Sequence, residues 1–147
     1  MALTELKGKE LGTQTIVVEQ GPVRRFAAAV KDDPDRYTGD GAPTPPTWPF
    51  SMAFWGSFGG PAPSGLPIEE LRGPGRSILH GEQGFQIHRP PRVGETLTGV
   101  GRIADVYEKD SASATMEFYV REMQWSDADG EPVVTEQFTL IVRAKKG

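Results

Sequence analysis

The sequence has no cysteine, which excludes disulfide bonds, thiolate metal ligands and a cysteine nucleophile. It also has no long apolar run, because the longest apolar stretch, around residues 50–58, is far too short to span a bilayer. The first residues lack a charged region followed by an apolar run, so no signal peptide is visible. Basic residues form no stripe interleaved with aromatic ones, which argues against a nucleic-acid partner. We therefore expect a cytoplasmic protein with neither a membrane nor a nucleic acid as partner.

The composition is that of a folded globular chain. Hydrophobic residues make up 37% of the 147 residues, charged residues make up 24%, and the formal net charge is a mild −4. The 18 glycines and 13 prolines are concentrated at residues 39–74, which indicates long ordered loops rather than a second domain. We therefore predict one domain over residues 1–147.

The first half of the chain predicts one strand and two helices. Residues 13–19 are rich in β-branched side chains and indicate a short strand. A helix should begin at Gly21-Pro22 and end near Lys31, before the breaker sequence of residues 32–35. A second helix should follow Thr47, a plausible N-cap, and aromatic or apolar side chains cover every side of it between residues 48 and 58. A helix that is apolar all round must be buried, so the rest of the domain should wrap around it.

The second half predicts four long strands, at residues 77–88, 96–108, 112–126 and 132–145. Residues 127–130 and 91–94 provide turns between them. In the third of these strands the apolar alternation changes phase, which predicts a β-bulge near Arg121-Glu122. In the second, Gly99 and Gly101 share a face, which would let another backbone or a ligand approach closely.

These elements predict an α+β fold, a single hot-dog domain in which an antiparallel meander curls round a buried central helix. A generic α+β sandwich fits the same pattern nearly as well.

Several stretches resemble the MaoC-like N-terminal dehydratase family over nearly the whole chain. The stretches are FAAAV at 26–30 leading into 32–37, APTPPTWP at 42–49, LHGEQ at 79–83, HRP at 88–90, VGETL at 93–97, DVYEK at 105–109, and DG at 129–130. The HGEQ and HRP pieces at this mutual spacing are fairly specific, whereas any one stretch alone would be weak.

The resemblance implies a hot-dog fold that hydrates or dehydrates an acyl-CoA or acyl-carrier thioester, in a homodimer or in a heterodimer with a second MaoC-like hot-dog protein. It implies no cofactor and no metal. In R-specific hydratases of this superfamily, an Asp and a His five residues apart follow the first helix, in the pattern Gly-Asp-x-Asn-Pro-x-His. A backbone amide at the start of the central helix would polarise the thioester carbonyl, and Pro46, Thr47 and Trp48, at that start, are candidate substrate-binding residues.

This sequence departs from the catalytic pattern. Without gaps, Lys31 falls at the Gly, Asp32 at the Asp, Pro34 at the Asn, Asp35 at the Pro and Tyr37 at the His. A tyrosine has an ordinary pKa near 10 and is a poor base at neutral pH. We expect a degenerate or partner-dependent site, with Asp32 and Tyr37 as the candidate catalytic pair and turn chemistry or a structural tyrosine as the alternatives.

His80 is the candidate replacement imidazole. Strict alternation would place it on the face opposite Leu79 and Phe85, pointing away from the core, although a bulge at Gly81 or Gly84 would undo this. A metal set of His80, Glu82 and His88 lacks a fixed ligand spacing, so we expect none.

Substrate contacts are predicted at both ends of the pocket. Arg89 and Arg92 are candidates for the CoA phosphates, with a solvated loop face as the alternative. Trp48 and Phe54, with their aromatic neighbours, would partly line an acyl tunnel, although most of them should pack in the core.

Four functions stay open at this point. The first is a non-catalytic or half-catalytic subunit that shapes the acyl pocket while a second hot-dog protein supplies the intact Asp and His. The second is a self-sufficient homodimeric hydratase of trans-2-enoyl or 3-hydroxyacyl thioesters that uses Asp32, Tyr37 or a displaced His80. The third is an acyl-CoA binding module, and the fourth is a thioesterase on the same fold.

Overall fold

The computed structural model describes residues 2–55 and 66–146, with the side chains of 53–55 excepted. Within these two ranges, three α-helices and five strands follow each other in the order β1, α1, α2, α3, β2, β3, β4, β5. The strands are β1 Glu10–Val17, β2 Arg76–Ile87, β3 Thr96–Asp110, β4 Ala114–Ser126 and β5 Pro132–Lys145. The helices are α1 Gln20–Ala29, α2 Pro49–Trp55 and α3 Ile68–Leu71. Two 3₁₀ turns cover Thr4–Leu6 and Pro34–Tyr37.

The strands form one antiparallel sheet in the order β1-β3-β4-β5-β2. The predicted simple meander is therefore wrong for β2, which pairs with β5 at the far edge rather than with its neighbour in sequence, β3. The turn at residues 127–130 closes the β4–β5 hairpin, where the Asp127 amide donates to the Glu131 carbonyl at 3.0 Å. The hot-dog prediction is confirmed, because the sheet holds α2 against its inner face.

α2 lies in a core shared with α1 and the inner face of the sheet. Trp48, which precedes the helix, and Met52 within it are fully buried among Ile16 of β1 and Val134 of β5. Core packing is therefore the role of Trp48. The predicted helix extended to residue 58, and its positions beyond Trp55 lie outside the described residues. Within the two ranges that the structure describes, no helix is long and apolar enough to cross a membrane.

The predicted bulge in β4 is wrong. The irregularity lies on the neighbouring strand, where Ala104 of β3 is the extra residue opposite Arg121 and Val120. β4 keeps one phase through its centre, so Arg121 points inward with Met123 and is as buried as a core residue. The apolar alternation of β4 predicted a change of phase that does not occur, because the inner face of this strand carries buried charges. Apolar side chains such as Phe118 lie half-buried on its outer face.

A second bulge lies in β2 and reverses the predicted face of His80. His80 pairs with Leu140 and Glu82 with Thr139, so Gly81 is the extra residue between them. A Cβ at Gly81 would lie 2.6 Å from the Ile141 side chain, which shows why glycine fits there. After this bulge His80 and Gln83 share the inner face, the one that faces α2.

Candidate active site

The segment after α1 has the backbone conformation expected from the family pattern, which has glycine at this position. Lys31 has φ 62°, a left-handed conformation in which glycine is ordinarily favoured. The Lys31 amide donates to the Ala28 carbonyl at 3.1 Å and the Asp32 amide to the Ala27 carbonyl at 2.9 Å, which together form a Schellman cap. Lys31 thus occupies the position at which the family pattern has glycine, and this supports the ungapped placement of Asp32.

The next turn returns Tyr37 to Asp32. Asp33 caps the 3₁₀ turn by accepting from the Asp35 amide at 2.9 Å, and Pro34 begins it. The buried Tyr37 hydroxyl donates to Oδ2 of Asp32 at 2.5 Å, while Oδ1 of Asp32 accepts from the Asp33 amide at 2.8 Å and from Arg36 at 3.1 Å. The structure therefore brings the two predicted residues together as a hydrogen-bonded pair.

The electrostatics of this pair oppose proton abstraction at neutral pH. The hydrogen bond from Tyr37 and the Asp33 amide hold the pKa of Asp32 below its usual value. The same bond to Asp32 raises the pKa of the Tyr37 phenol above its usual value. Asp32 is thus a weaker base than a free carboxylate, and Tyr37 stays protonated, whereas an efficient general base has a pKa near the working pH.

Replacing Tyr37 with Phe is expected to raise the pKa of Asp32 toward its ordinary value, because the main stabiliser of the carboxylate is removed. A carboxyl whose pKa is lower in the folded than in the unfolded chain stabilises the fold at pH values above its unfolded-state pKa. This stabilisation is lost as the pH falls through its folded-state pKa. The stability difference between wild type and Tyr37→Phe should therefore be largest near neutral pH and shrink on acidification. Carboxyl titration by NMR and urea unfolding at several pH values measure both effects.

The matched control is Tyr107→Phe, which removes a phenol hydroxyl from the outer face of β3 and should leave the titration of Asp32 unchanged. An Asp32 titration curve that is the same in Tyr37→Phe and wild type would contradict the proposed electrostatics of the pair.

His80 lies on the wall of a cavity rather than beside Asp32. Its ring contacts Phe50 at 5.5 Å and Phe138 at 4.5 Å between ring centroids, the latter edge to face. Among the described residues, no hydrogen bond, ion pair or ring contact joins His80 to Asp32 or Tyr37. The structure therefore does not assemble the displaced imidazole into the Asp32 pair.

The cavity has a volume of about 490 Å³, in the range of small-molecule pockets. Three elements build it, and the lining residues are Phe26 from α1, Thr47 and Phe50 at the start of α2, and His80, Gln83 and Phe85 from β2. Thr47 and His80 were predicted as site residues. Gln83 and Phe26 were not, because the face of Gln83 depends on the Gly81 bulge and Phe26 belongs to the apolar side of an ordinary amphipathic helix.

Behind Gln83 lies a buried charge pair that sequence reasoning missed. Glu136 of β5 is fully buried, and its Oε1 accepts from Arg121 of β4 at 3.0 Å and from Gln83 at 3.1 Å. Burial raises the pKa of Glu136 above its usual value, although Arg121 and Gln83 act in the opposite direction. The sequence signal is confined to β5, where Glu136 shares a face with the apolar residues Val134 and Leu140.

The two predicted phosphate-binding arginines have different surroundings. Arg89 bonds Glu95 at 2.9 Å and Asp127 at 3.0 Å, so its charge already holds the β4–β5 turn against the loop before β3. Arg92 is exposed and donates to the Gly41 carbonyl at 2.9 Å. Of the pair, Arg92 is the better placed to meet a phosphate.

The remaining predicted positions divide between surface, core and the part that is not described. Pro46 is exposed, beside the cavity residue Thr47. The side chain of Phe54 lies outside the described residues. His88 is exposed, 3.4 Å from the Thr135 hydroxyl. No three His, Asp or Glu side chains in the described ranges lie close enough together to hold a metal ion.

Comparison with known proteins bears on this geometry. The sequence model of a family described as "FAS1-like, dehydratase domain region" matches residues 5–136. A curated relative from Saccharopolyspora erythraea, called UPF0336 protein, is 28% identical over 140 residues, which cover 89% of this chain and 84% of the relative.

Two solved structures are similar in fold. One is the C-terminally truncated HadBC (3R-hydroxyacyl-ACP dehydratase) complex from Mycobacterium tuberculosis, at 21% identity and TM-score 0.65, covering 92% of this chain and 96% of that chain. The other is a MaoC-like dehydratase from Phytophthora capsici, at 25% identity and TM-score 0.68. The match covers 98% of this chain and 52% of the Phytophthora chain.

Proposed function

The chain belongs to the FAS1-like dehydratase domain family, a group of MaoC-like dehydratases, and on that premise we propose that it is the pocket-forming subunit of a two-chain hydratase or dehydratase. Its substrates would be trans-2-enoyl and 3-hydroxyacyl thioesters. This chain would bind the acyl group, and a second hot-dog protein with an intact Asp and His would carry out the proton transfers.

The observation that carries the proposal is the bond between Tyr37 and Asp32. The hydration step needs one group to take a proton from water and another to orient it near the β-carbon of the thioester. Here the carboxylate is held in its ionised form by three donors, and the phenol is held in its protonated form by the carboxylate. The local fold of the family's catalytic segment is kept while its chemistry is lost.

The cavity and the sheet edge support a partner chain. β2 is an edge strand of twelve residues, and it exposes Leu79 and Ile87 at 46% and 42%. A long unpaired edge with apolar side chains favours pairing with another strand. The cavity residues His80, Gln83 and Phe85 lie on this same strand, so a chain that docks along β2 would also close the cavity. By its description, the HadBC structure is likewise a complex.

One observation favours a second candidate, a self-sufficient hydratase. His80 presents an imidazole to the cavity, where a substrate would lie. A catalytic histidine is ordinarily oriented by a hydrogen bond to its second nitrogen, whereas the contacts of the His80 ring with described residues are with the rings of Phe50 and Phe138. The geometry therefore supports this candidate less well than the first.

The test is hydration of short- and long-chain trans-2-enoyl-CoA, followed by loss of the enone absorbance. We expect no turnover by the purified chain and turnover by its complex with a hot-dog hydratase that retains the Asp and His. In that complex Asp32→Asn in this chain should leave kcat within about twofold, because Asp32 takes no part in proton transfer. The corresponding substitution in the catalytic chain should lower kcat by about 10²–10⁴.

Turnover by the isolated chain decides between the two candidates. If His80→Asn or Asp32→Asn abolished such turnover, the chain would be a complete enzyme and the subunit proposal would be wrong.

A further inference from the structure

A row of apolar side chains crosses the outer face of the sheet, the face turned away from α2. This outer row consists of Tyr107 on β3, Phe118 on β4, Ile141 on β5 and Leu79 on β2, which pair with one another in that order. Leu79 is 46% exposed, and the other three side chains are half-buried. An antiparallel sheet ordinarily carries polar residues on its solvated face, so the outer row departs from the usual pattern.

Packing makes the outer row one ordered surface. The rings of Tyr107 and Phe118 stack with their centroids 4.7 Å apart and their planes 5° from parallel. Ile141 lies over Gly81, where a Cβ would come within 2.6 Å of the isoleucine side chain. The Lys109 ammonium lies 5.1 Å from the centroid of the Phe118 ring. The four apolar side chains therefore form a continuous surface rather than isolated exposed positions.

Charges of opposite sign flank the outer row. On one side, Lys109 of β3 and Arg143 of β5 pair with the same residue of β4, one level along the strands from the row. On the other side, the corresponding level holds Asp105 of β3 and Glu82 of β2. Asp105 already pairs with Lys7 at 2.8 Å. Within the parts of the chain that the structure describes, neither Glu82 nor Arg143 forms a salt bridge.

This arrangement is complementary to itself. A second copy turned over about a two-fold axis along the outer row would place row against row and its acidic side against the basic side of the first copy. Lys109 would then face Asp105 of the other copy, and Arg143 would lie one strand, about 4.8 Å, from Glu82 of the other copy. A two-fold axis along the strands would instead set the basic sides against each other. The charges therefore select both the occupant and its orientation.

We propose that the outer row is the contact surface of a symmetric dimer of this chain. The row and its two flanking levels span four strands, roughly 400 Å² in projection. A standard interface buries about 800 Å² on each partner, so this dimer should be weak, with a Kd on the order of 10–100 µM.

The inference goes beyond the proposed function and does not depend on it. The outer row and the cavity lie on opposite faces of the sheet, because the β2 residues that line the cavity face α2. The contact therefore leaves the cavity and the edge of β2 free, and it would join two of the proposed two-chain units.

Sedimentation equilibrium of the full chain at low salt tests the proposal. Over loading concentrations of roughly 1–300 µM, which bracket the expected Kd, the weight-average mass should rise from that of one chain toward that of two. Arg143→Glu brings like charges together at two symmetric places, so it should weaken the dimer by about tenfold or more, and Glu82→Arg should do the same. Arg25→Glu is the matched control, because Arg25 is exposed on α1, which packs on the inner face, and it should leave the mass curve unchanged.

A mixture of the two charge variants gives the sharpest result. In a dimer of one Arg143→Glu chain and one Glu82→Arg chain, both contacts join opposite charges again. The mixture should therefore regain an affinity within about threefold of wild type, although each variant alone dimerises poorly. Thermal unfolding checks that both variants fold, and both substituted side chains lie on the surface of the sheet.

Three results would each overturn the proposal. The first is the mass of a single chain at every concentration, which would leave the outer row to a different protein. The second is a dimer that neither charge reversal weakens, which would place the contact elsewhere, such as the edge of β2. The third is a mixture that dimerises no better than its two components. Each of these results leaves the proposed two-chain function standing, because that function uses the cavity and the edge of β2.

Discussion

Arg121→Ala is expected to lower the free energy of unfolding by about 3–5 kcal/mol, because it leaves a buried carboxylate without its counter-charge. Glu136 is fully buried, and Arg121 bonds it at 3.0 Å. The remaining bond from Gln83 is a neutral donor and cannot replace the guanidinium. Equilibrium unfolding in urea measures the loss.

The size of this loss should depend on pH. Burial raises the pKa of Glu136 in the folded chain, and removal of Arg121 raises it further because Arg121 lowers it. A group whose pKa is higher in the folded than in the unfolded chain stabilises the fold at pH values below its unfolded-state pKa. This stabilisation is lost as the pH rises through its folded-state pKa. Arg121→Ala should therefore be least destabilised in acid, where Glu136 carries a proton, and most destabilised above its folded pKa.

The control for Arg121 is an exposed pair of the same type. Arg24 bonds Asp35 at 2.8 Å, and the two side chains are 40% and 83% exposed. Arg24→Ala should therefore cost less than about 1 kcal/mol. Equal losses in the two variants would show that Arg121 is no more valuable than a surface arginine.

Gly99→Ala is expected to cost about 1–3 kcal/mol, because the added methyl group overpacks the core. A Cβ at Gly99 would lie 2.7 Å from two ring atoms of Trp125, the residue opposite it on β4. Trp125 is 1% exposed and packs with Leu97 and Met123, so its ring cannot recede without displacing them. Urea unfolding measures this loss as well.

Two further variants make this prediction specific. Gly84→Ala adds the same methyl group to β2, where nothing lies within 4 Å, and should be nearly neutral. Trp125→Phe removes the ring atoms that clash, so the cost of Gly99→Ala should be smaller in that background. Additive losses in the double variant would mean that the clash with Trp125 is not the cause.

The strands were the part of the fold that the sequence predicted best. The predicted and observed bounds of β5 are the same at both ends, because its apolar alternation is regular and a strong turn at residues 127–130 fixes its start. The close approach predicted at Gly99 is confirmed, but the group that approaches is the ring of Trp125. The order of the strands could not be read from the sequence, because alternation identifies the buried face of a strand and not its neighbour.

The candidate site could be predicted from the sequence only where residues close together in the chain determine its structure. The Asp32–Tyr37 pair follows from a short segment whose backbone is set by one helix end and one turn. The buried cluster of Arg121, Glu136 and Gln83 was predictable only in part. Glu136 alternates with Val134 and Leu140 on the buried face of β5, whereas the apolar alternation of β4 predicts that Arg121 points outward. Gln83 faces inward only because the bulge at Gly81 sets its phase.

The position of β2 also determines when a partner can bind. β2 is synthesised long before its partner β5, and the residues they pair, from Arg76 with Ala144 to Ile87 with Val134, are separated by roughly fifty residues or more. Pairing across such distances is slow, because loop closure must precede the contacts that stabilise it. Until β5 emerges from the ribosome, β2 has no strand beside it and its apolar side chains are open to aggregation. The proposed docking edge is therefore complete only after synthesis has reached β5.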